Sequence, residues 1–436
     1  MATLLHKMVI ALEIITFIII ILVALGNRYA FVQPYFKELS STTIYANFKQ
    51  SYLRKPYRAH QPRYEGFQKV DDNKTFVYAA YYDDRDEDAV VKVVVLTPRN
   101  ISTVFKCVLQ NQQGDHETTK GRLHYIYEPP QWRSAYRAGF VLCSLGKMTI
   151  QPEFVSLHVF DKVFLNNLTV RYPGPKNNIT RCFNAFLFKY RNVAELAANI
   201  EISRLFGVDK FVFYNLSGSF NVSKLLKSYE SEGVVELRTW NLPVPRPVIR
   251  YWGQIGVIND CVLSQVHTAR YVMVMDFDEI VIPLKHKTLL EMADDLFLKS
   301  QNTSKPAGSL LFRNVFYPTF RNQTTAKYKM KQVAKKYKIA PLLYTLRSRT
   351  NSPKIRTKAM LNPDRVEDVF MHYVWNYKKG YVTNLVREDM AHIFHYRWSK
   401  DKYMSDFVTQ DLTMLNFSTS ISTAVKARFL KAGMVP

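Results

Sequence analysis

VMVMDFDEIVIP, Val272 to Pro283, is an apolar run interrupted by three carboxylates, Asp276, Asp278 and Glu279. An ionised carboxylate beside a core is costly unless a cation or hydrogen-bond donors meet it. Tyr271 to Met275 is continuously apolar and reads as a buried strand. The acids then fall at its carboxyl end, where open α/β sheets keep their ligand crevice. On an extended chain residues two apart project to one side, roughly 7 Å apart. Asp276 and Asp278 are therefore expected to converge on one hard cation, Mg²⁺ or Mn²⁺, of the kind held by one or two carboxylates plus substrate phosphates.

Working outward, strand and helix patterns alternate. Phe186 to Tyr190 reads as a strand, and Val193 to Phe206 as a helix with Leu196, Ala197, Ile200 and Leu205 on one face, stopped by Gly207. Lys210 to Tyr214 is a second buried strand, and Gly256 to Ala269 a second helix. This rhythm predicts an α/β domain, a parallel sheet with helices on its faces. Thr75 to Lys162 differs, carrying short β-rich runs such as FVYAAYY, VVKVVVLTP and GFVLCSL. A small antiparallel sheet or sandwich is expected there, ending near residue 172 at a stretch rich in Pro and Asn.

The N-terminus carries an apolar run, residues 8–26, long enough to cross a bilayer. With Lys7 before it, this predicts an uncleaved signal anchor over residues 1–30, a stem over 31–70, and a lumenal remainder in a single-pass type II topology. Nine Asn-X-Ser/Thr acceptors, at Asn73, Asn100, Asn167, Asn178, Asn215, Asn221, Asn302, Asn322 and Asn416, agree with a secretory address. Four cysteines are an even number in such an oxidising compartment; pairing Cys107 with Cys143 and Cys182 with Cys261 keeps each bridge within one proposed domain. The net charge of +24 invites nucleic acid, and a lumenal address opposes that partner. Eleven Lys and Arg between Lys327 and Lys358, with no acid, mark a solvated face or an anion-attracting loop.

D-x-D alone is a weak signal, because Asp84, Asp86 and Asp88 repeat the spacing in a polar, turn-like run. That copy reads as a solvated loop. A phosphatase-like D-x-D-x-T nucleophile is disfavoured by Ile280.

Taken together, FNAFLFKYRNVAELAANIEISRLFGVDKFVFYN, GQIGVINDCVLSQVHTARYVMVMDFDEIVIP, VFMHYVWNY and MAHIFHYRW resemble glycosyltransferase family 92, a family abundant in nematodes, over about residues 75–400. The resemblance implies a GT-A type Rossmann-like nucleotide-sugar domain over 173–436, preceded by a small β-rich domain over 71–172. It also implies inverting transfer of galactose from UDP-galactose to fucose on an N-glycan core, by a Golgi membrane enzyme. Asp276 and Asp278 would bridge Mn²⁺ or Mg²⁺ to the donor diphosphate, with Glu279 behind them and His372, in preference to His395, as third ligand. Gln254, Asn259 and Asp260 would face the nucleotide, and Arg397 a phosphate. Glu388 or Asp389, ahead of Glu367 and Asp368, would be the carboxylate base that an inverting transfer needs. A catalytically silent lumenal or cell-surface glycan-binding protein is the alternative reading, and the intact carboxylates favour the enzyme.

Overall fold

The computed structural model describes residues 66–436 apart from 73, 102, 130, 147, 161–165, 187–189, 322 and 399–406. The expected anchor, almost all of the stem, and the acceptors Asn73 and Asn322 lie outside these. Gln61–Pro436 forms one compact unit.

The β-rich part is a closed barrel. β2 (Phe76–Asp83), β3 (Val90–Pro98), β6 (Tyr136–Ser144), β5 (His116–Tyr125), β4 (Phe105–Gln110), β7 (Phe154–His158) and β8 (Leu168–Arg171) pair in that order, and β8 returns to pair with β2. β1 (Gln68–Lys69) flanks β2. Val77, Val91, Val93, Val95, Phe105 and Val141 fill the interior. Cys107 and Cys143, joined as expected, lie among them. β5 alternates exposed and half-buried residues over its first half, because that side faces water. β2 and β3 do not alternate; their outer side chains Phe76, Tyr78, Tyr81, Val94 and Leu96 enter a second core. Burial on both faces explains the unbroken apolar runs.

That second core lies under a seven-stranded sheet in the order β11 (Val235–Thr239), β10 (Lys210–Asn215), β9 (Asn177–Phe186), β12 (Ala269–Met275), β17 (Lys358–Leu361), β14 (Ala307–Phe312) and β20 (Val382–Leu385). β11 to β12 run parallel; β17 is antiparallel to both its neighbours. Side chains alternate across it. Val272 and Val274 pack with the barrel and with helix α3 (Gln254–Ser264), whereas Met273 and Met275 pack with α1 (Val193–Leu205), α2 (Phe220–Glu230), α4 (Leu289–Gln301) and α7 (Ser418–Lys431). Cys182–Cys261, also as expected, ties β9 to α3. Between α4 and α7 lie the short helices α5 (Lys331–Lys336) and α6 (Ala340–Leu343).

The expected fold class is corrected by this arrangement. Twenty-two strands against seven α-helices make the described residues mostly β, with a closed seven-stranded barrel sharing a core with the second sheet, not a Rossmann-like GT-A domain behind a small separate β domain. Among the described residues no helix is long and apolar enough to cross a membrane. Two elements also move. The strand expected at 186–190 lies at Asn177–Phe186, disguised in the sequence by buried Thr180 and Arg181. The helix expected to reach Ala269 stops at Ser264, because the chain turns through His267 at φ +54° and Ala269 already starts β12.

Candidate functional site

β12 is the central strand of its sheet, and Asp276 to Asp278 turn the chain from it into β13 (Glu279–Pro283). The extended D-x-D geometry expected from spacing is corrected to this turn. A hydrogen bond from the Asp276 backbone N–H to Glu279 Oε2, 3.0 Å, closes it. Phe277 points inward and stacks on Phe183 and Tyr190, which fixes the turn by its middle residue. The acids on either side keep about a third of their side chains exposed, 37% for Asp276 and 30% for Asp278, while Glu279 is fully buried.

Lys358, Arg181 and His395 surround the turn. Lys358 Nζ, at the start of β17, lies 2.7 Å from Asp276 Oδ2 and 3.3 Å from Glu279 Oε2. Burial disfavours its charge, yet Asp276 and Glu279 outweigh this and raise its pKa. Arg181, buried on β9, donates to the backbone carbonyls of Asp276 and Glu279 and to Ser203 Oγ. His395, on β21 (Ala391–Arg397), faces Asp278 Oδ2 through Nε2 at 3.1 Å and Glu279 Oε1 through Nδ1 at 3.4 Å. Burial opposes its protonation, but the charges of Asp278 and Glu279 raise its pKa. Burial pushes the Glu279 carboxyl up, with Lys358 opposing. Asn184 donates to Asp276 Oδ1, and Asn199 to the carbonyls of Phe277 and Glu279. Half-buried Glu195, in the first turn of α1, accepts from Tyr190 Oη at 2.6 Å; burial and the Asp278 charge push its carboxyl up to about 7.

Of the residues expected here, Asp276, Asp278 and Glu279 come together, and His395 joins them in place of His372. The His372 ring instead places Nδ1 3.1 Å from the carbonyl of Thr357, the neighbour of Lys358; burial and Lys358 lower its pKa to about 4, so it is neutral. Asn259 and Asp260 are buried and engaged within the protein. Asn259 brackets Val369 with two 2.8 Å hydrogen bonds, and fully buried Asp260 accepts from Tyr81, Tyr214 and Arg238. Gln254 opens α3, half-buried, and Arg397 ends β21, half-buried. Glu388 pairs with Arg313, and Asp389 with Lys285 and Arg387, at the surface. Glu367 binds Lys92 and Lys378, and Asp368 is buried against Asn376. Lys358, Arg181 and Asn184 were not foreseen. Only Lys358 left a trace, as the last residue of the basic block.

The donor set suits a hard divalent ion. Asp278 Oδ2 and His395 Nε2 stand 3.1 Å apart. That is close to the roughly 3 Å between neighbouring octahedral positions when ligands lie at about 2.1 Å. Glu279 Oε1 is buried with no hydrogen-bond partner. The Asn314 side-chain N–H donates to His395 Nδ1 at 2.9 Å, so Nε2 carries the ring proton toward Asp278 and would have to give it up to take a metal. Among the described residues no group of three His, Cys, Asp or Glu is placed to hold a metal, so an ion bound here would take its other positions from substrate oxygens and water.

The carboxylate turn thus ends the central strand of its sheet, at the edge where sheets of this kind keep their ligand crevice. Residues 177–431, more than half of the chain, match glycosyltransferase family 92, and the chain belongs to that family. Among its relatives is the Caenorhabditis elegans protein named Beta-1,4-galactosyltransferase galt-1, 27% identical over 210 residues, covering 46% of this chain and 44% of the relative. Two further C. elegans proteins, each named a glycosyltransferase family 92 protein, are 22% and 21% identical, covering 48% and 76% of this chain and 40% and 65% of their own lengths. The chain thus spans less than two thirds of each of these relatives.

Proposed function

We propose that the enzyme moves galactose from UDP-galactose to a glycan acceptor, with inversion, using Mn²⁺ or Mg²⁺. The observation that carries this reading is the Asp278–His395 pair at 3.1 Å, with buried Glu279 behind it and partly exposed Asp276 beside it. Asp278 and His395 would hold the ion, and Asp276, kept ionised by Lys358, would orient the donor. The ion, when bound, supplies Lewis-acid stabilisation of the departing diphosphate. Tyr190 and Glu195, at the strand-end edge beside Phe277, are placed to meet the ribose and base. Galactose is favoured by the galactosyltransferase name of one relative, and a fucosylated N-glycan core is the acceptor to try first.

Two disulfides and the exposure of Asn100, Asn167, Asn221, Asn302 and Asn416 support work in the Golgi lumen. The test is Mn²⁺-dependent UDP release over a panel of UDP-sugars and fucosylated N-glycans, beside Asp278→Asn and His395→Gln. Turnover with UDP-galactose, lost in both folded variants, is expected. Failure of the folded wild type to bind any UDP-sugar with Mn²⁺ would favour a silent glycan-binding protein.

A further inference from the structure

Three segments far apart in sequence bring aromatic rings to one shelf beside the carboxylate turn. Tyr127 and Trp132 come from the β5–β6 connection of the barrel, Tyr251 from the turn before α3, and Phe370, Tyr373 and Trp375 from the stretch around His372. The rings form a chain. Tyr127 stacks on Trp375 at 3.7 Å between centroids, Trp375 meets Tyr373 at 5.6 Å, Tyr373 meets Phe370 at 5.3 Å, Phe370 meets Trp132 at 5.6 Å, and Trp132 meets Tyr251 at 5.7 Å. Phe370 also lies 6.3 Å from the His372 ring, and His372 is hydrogen-bonded on both sides to Thr357, whose neighbour Lys358 binds Asp276, which links the shelf to the turn.

Core packing alone does not account for it. Tyr251 is 44% exposed, and Tyr127, Trp132, Tyr373 and Trp375 are half-buried. Each segment is nevertheless fixed from beneath by a polar group. Arg99 holds the barrel connection through the Trp132 and Ser134 carbonyls and Glu128. The Asn259 amide brackets Val369, next to Phe370. Trp240 Nε1 donates to the Trp252 carbonyl at 3.1 Å, in a turn where Tyr251, Trp252 and Gly253 have φ of 43°, 54° and 76°. Two bulky residues in succession rarely adopt that left-handed region, and such outliers concentrate at ligand sites.

We propose that this shelf is the acceptor subsite, where a pyranose ring of the glycan lies with its C–H face on exposed Tyr251 and its rim against Trp132, which stands at 77° to it. The proposal rests on reading the 276–279 turn as the donor site. A half-exposed aromatic surface held in place before the ligand arrives offers apolar contact to the sugar face with little ordering cost, while leaving the hydroxyls to water and to Arg250, which lies over both rings. The barrel then has a role in the reaction, since it carries Trp132 to the site.

The experiment measures retention of the full-length chain on an immobilised array of N-glycans with and without core fucose, and UDP binding with Mn²⁺ on the same samples. Trp132→Ala and Tyr251→Ser are expected to lower glycan retention at least tenfold with UDP affinity unchanged. Trp132→Phe should keep most of it, and Trp398→Ala, an exposed tryptophan outside the shelf, all of it. Exposed Tyr251 gives a variant that folds even if Trp132→Ala does not. Unchanged retention in Tyr251→Ser and Trp132→Ala, no retention by a wild type that binds UDP, or loss of UDP affinity instead of glycan retention would overturn the shelf. No UDP binding by the wild type would overturn the donor site, a separate failure.

Discussion

The chain holds two acidic clusters of similar pattern, and they differ in what remains unsatisfied. At the β2–β3 connection, Asp83 takes Arg85 and Lys92, both at 2.8 Å; Lys92 reaches Glu367 at 2.7 Å, and His267 joins Asp84 at 2.7 Å and Asp364 at 3.3 Å. Burial opposes ionisation of Asp83, but Arg85 and Lys92 hold its carboxyl well below the usual range. This cluster is closed and clamps the barrel to the second sheet. At the 276–279 turn, the same ingredients leave Asp276 and Asp278 partly exposed and a buried Glu279 oxygen without a hydrogen bond. Matched charge alone makes a clamp; matched charge with donors left over makes a site.

Substitutions in the two clusters should therefore part company. Asp278→Asn is expected to lower kcat/KM for UDP-galactose transfer by about 10³-fold or more at unchanged melting temperature, because it removes a charge from the ion site. Asp84→Asn should leave turnover per folded molecule intact. Lys358→Met and Lys92→Met should each cost about 3–5 kcal/mol in urea unfolding, since each strands buried carboxylates. Only Lys358→Met should also abolish activity, and survival of activity in that variant would break the contrast. His395→Gln should weaken Mn²⁺ about 10–100-fold in metal titrations, the usual effect of altering a ligand or its supporting shell.

The smallest effect concerns pH. Burial disfavours the His267 charge, but Asp364 and Asp84 carry its pKa from 6.5 to about 9. The folded state thus binds the proton more tightly, so this stability is fully present below pH 6.5 and is lost as pH rises through about 9. Its ceiling is about 3 kcal/mol, and solvent screening brings it nearer 1 kcal/mol. Unfolding curves for His267→Gln should be flatter across that window than those of the wild type.

Legibility followed the range of the interactions. The buried strand Tyr271–Met275, helix Val193–Leu205, both disulfides and the three carboxylates were readable because each depends on local apolar pattern, side-chain chemistry or spacing. The barrel was not, since closure rests on β8 pairing with β2 some ninety residues earlier, which leaves no mark on either strand. Strand β9 was misplaced because its buried Arg181 reads as a surface residue until the carbonyls it serves are known.

By itself, then, the sequence determined that acids end a buried strand in a chain with the motifs of a sugar transferase. Tertiary structure alone decided what meets them. Lys358 comes from 82 residues after Asp276, Arg181 from 95 before it, and His395 from 117 after Asp278. Local propensity carries no information over such separations, and the cost of a buried, unpaired charge is settled only when the sheets pack.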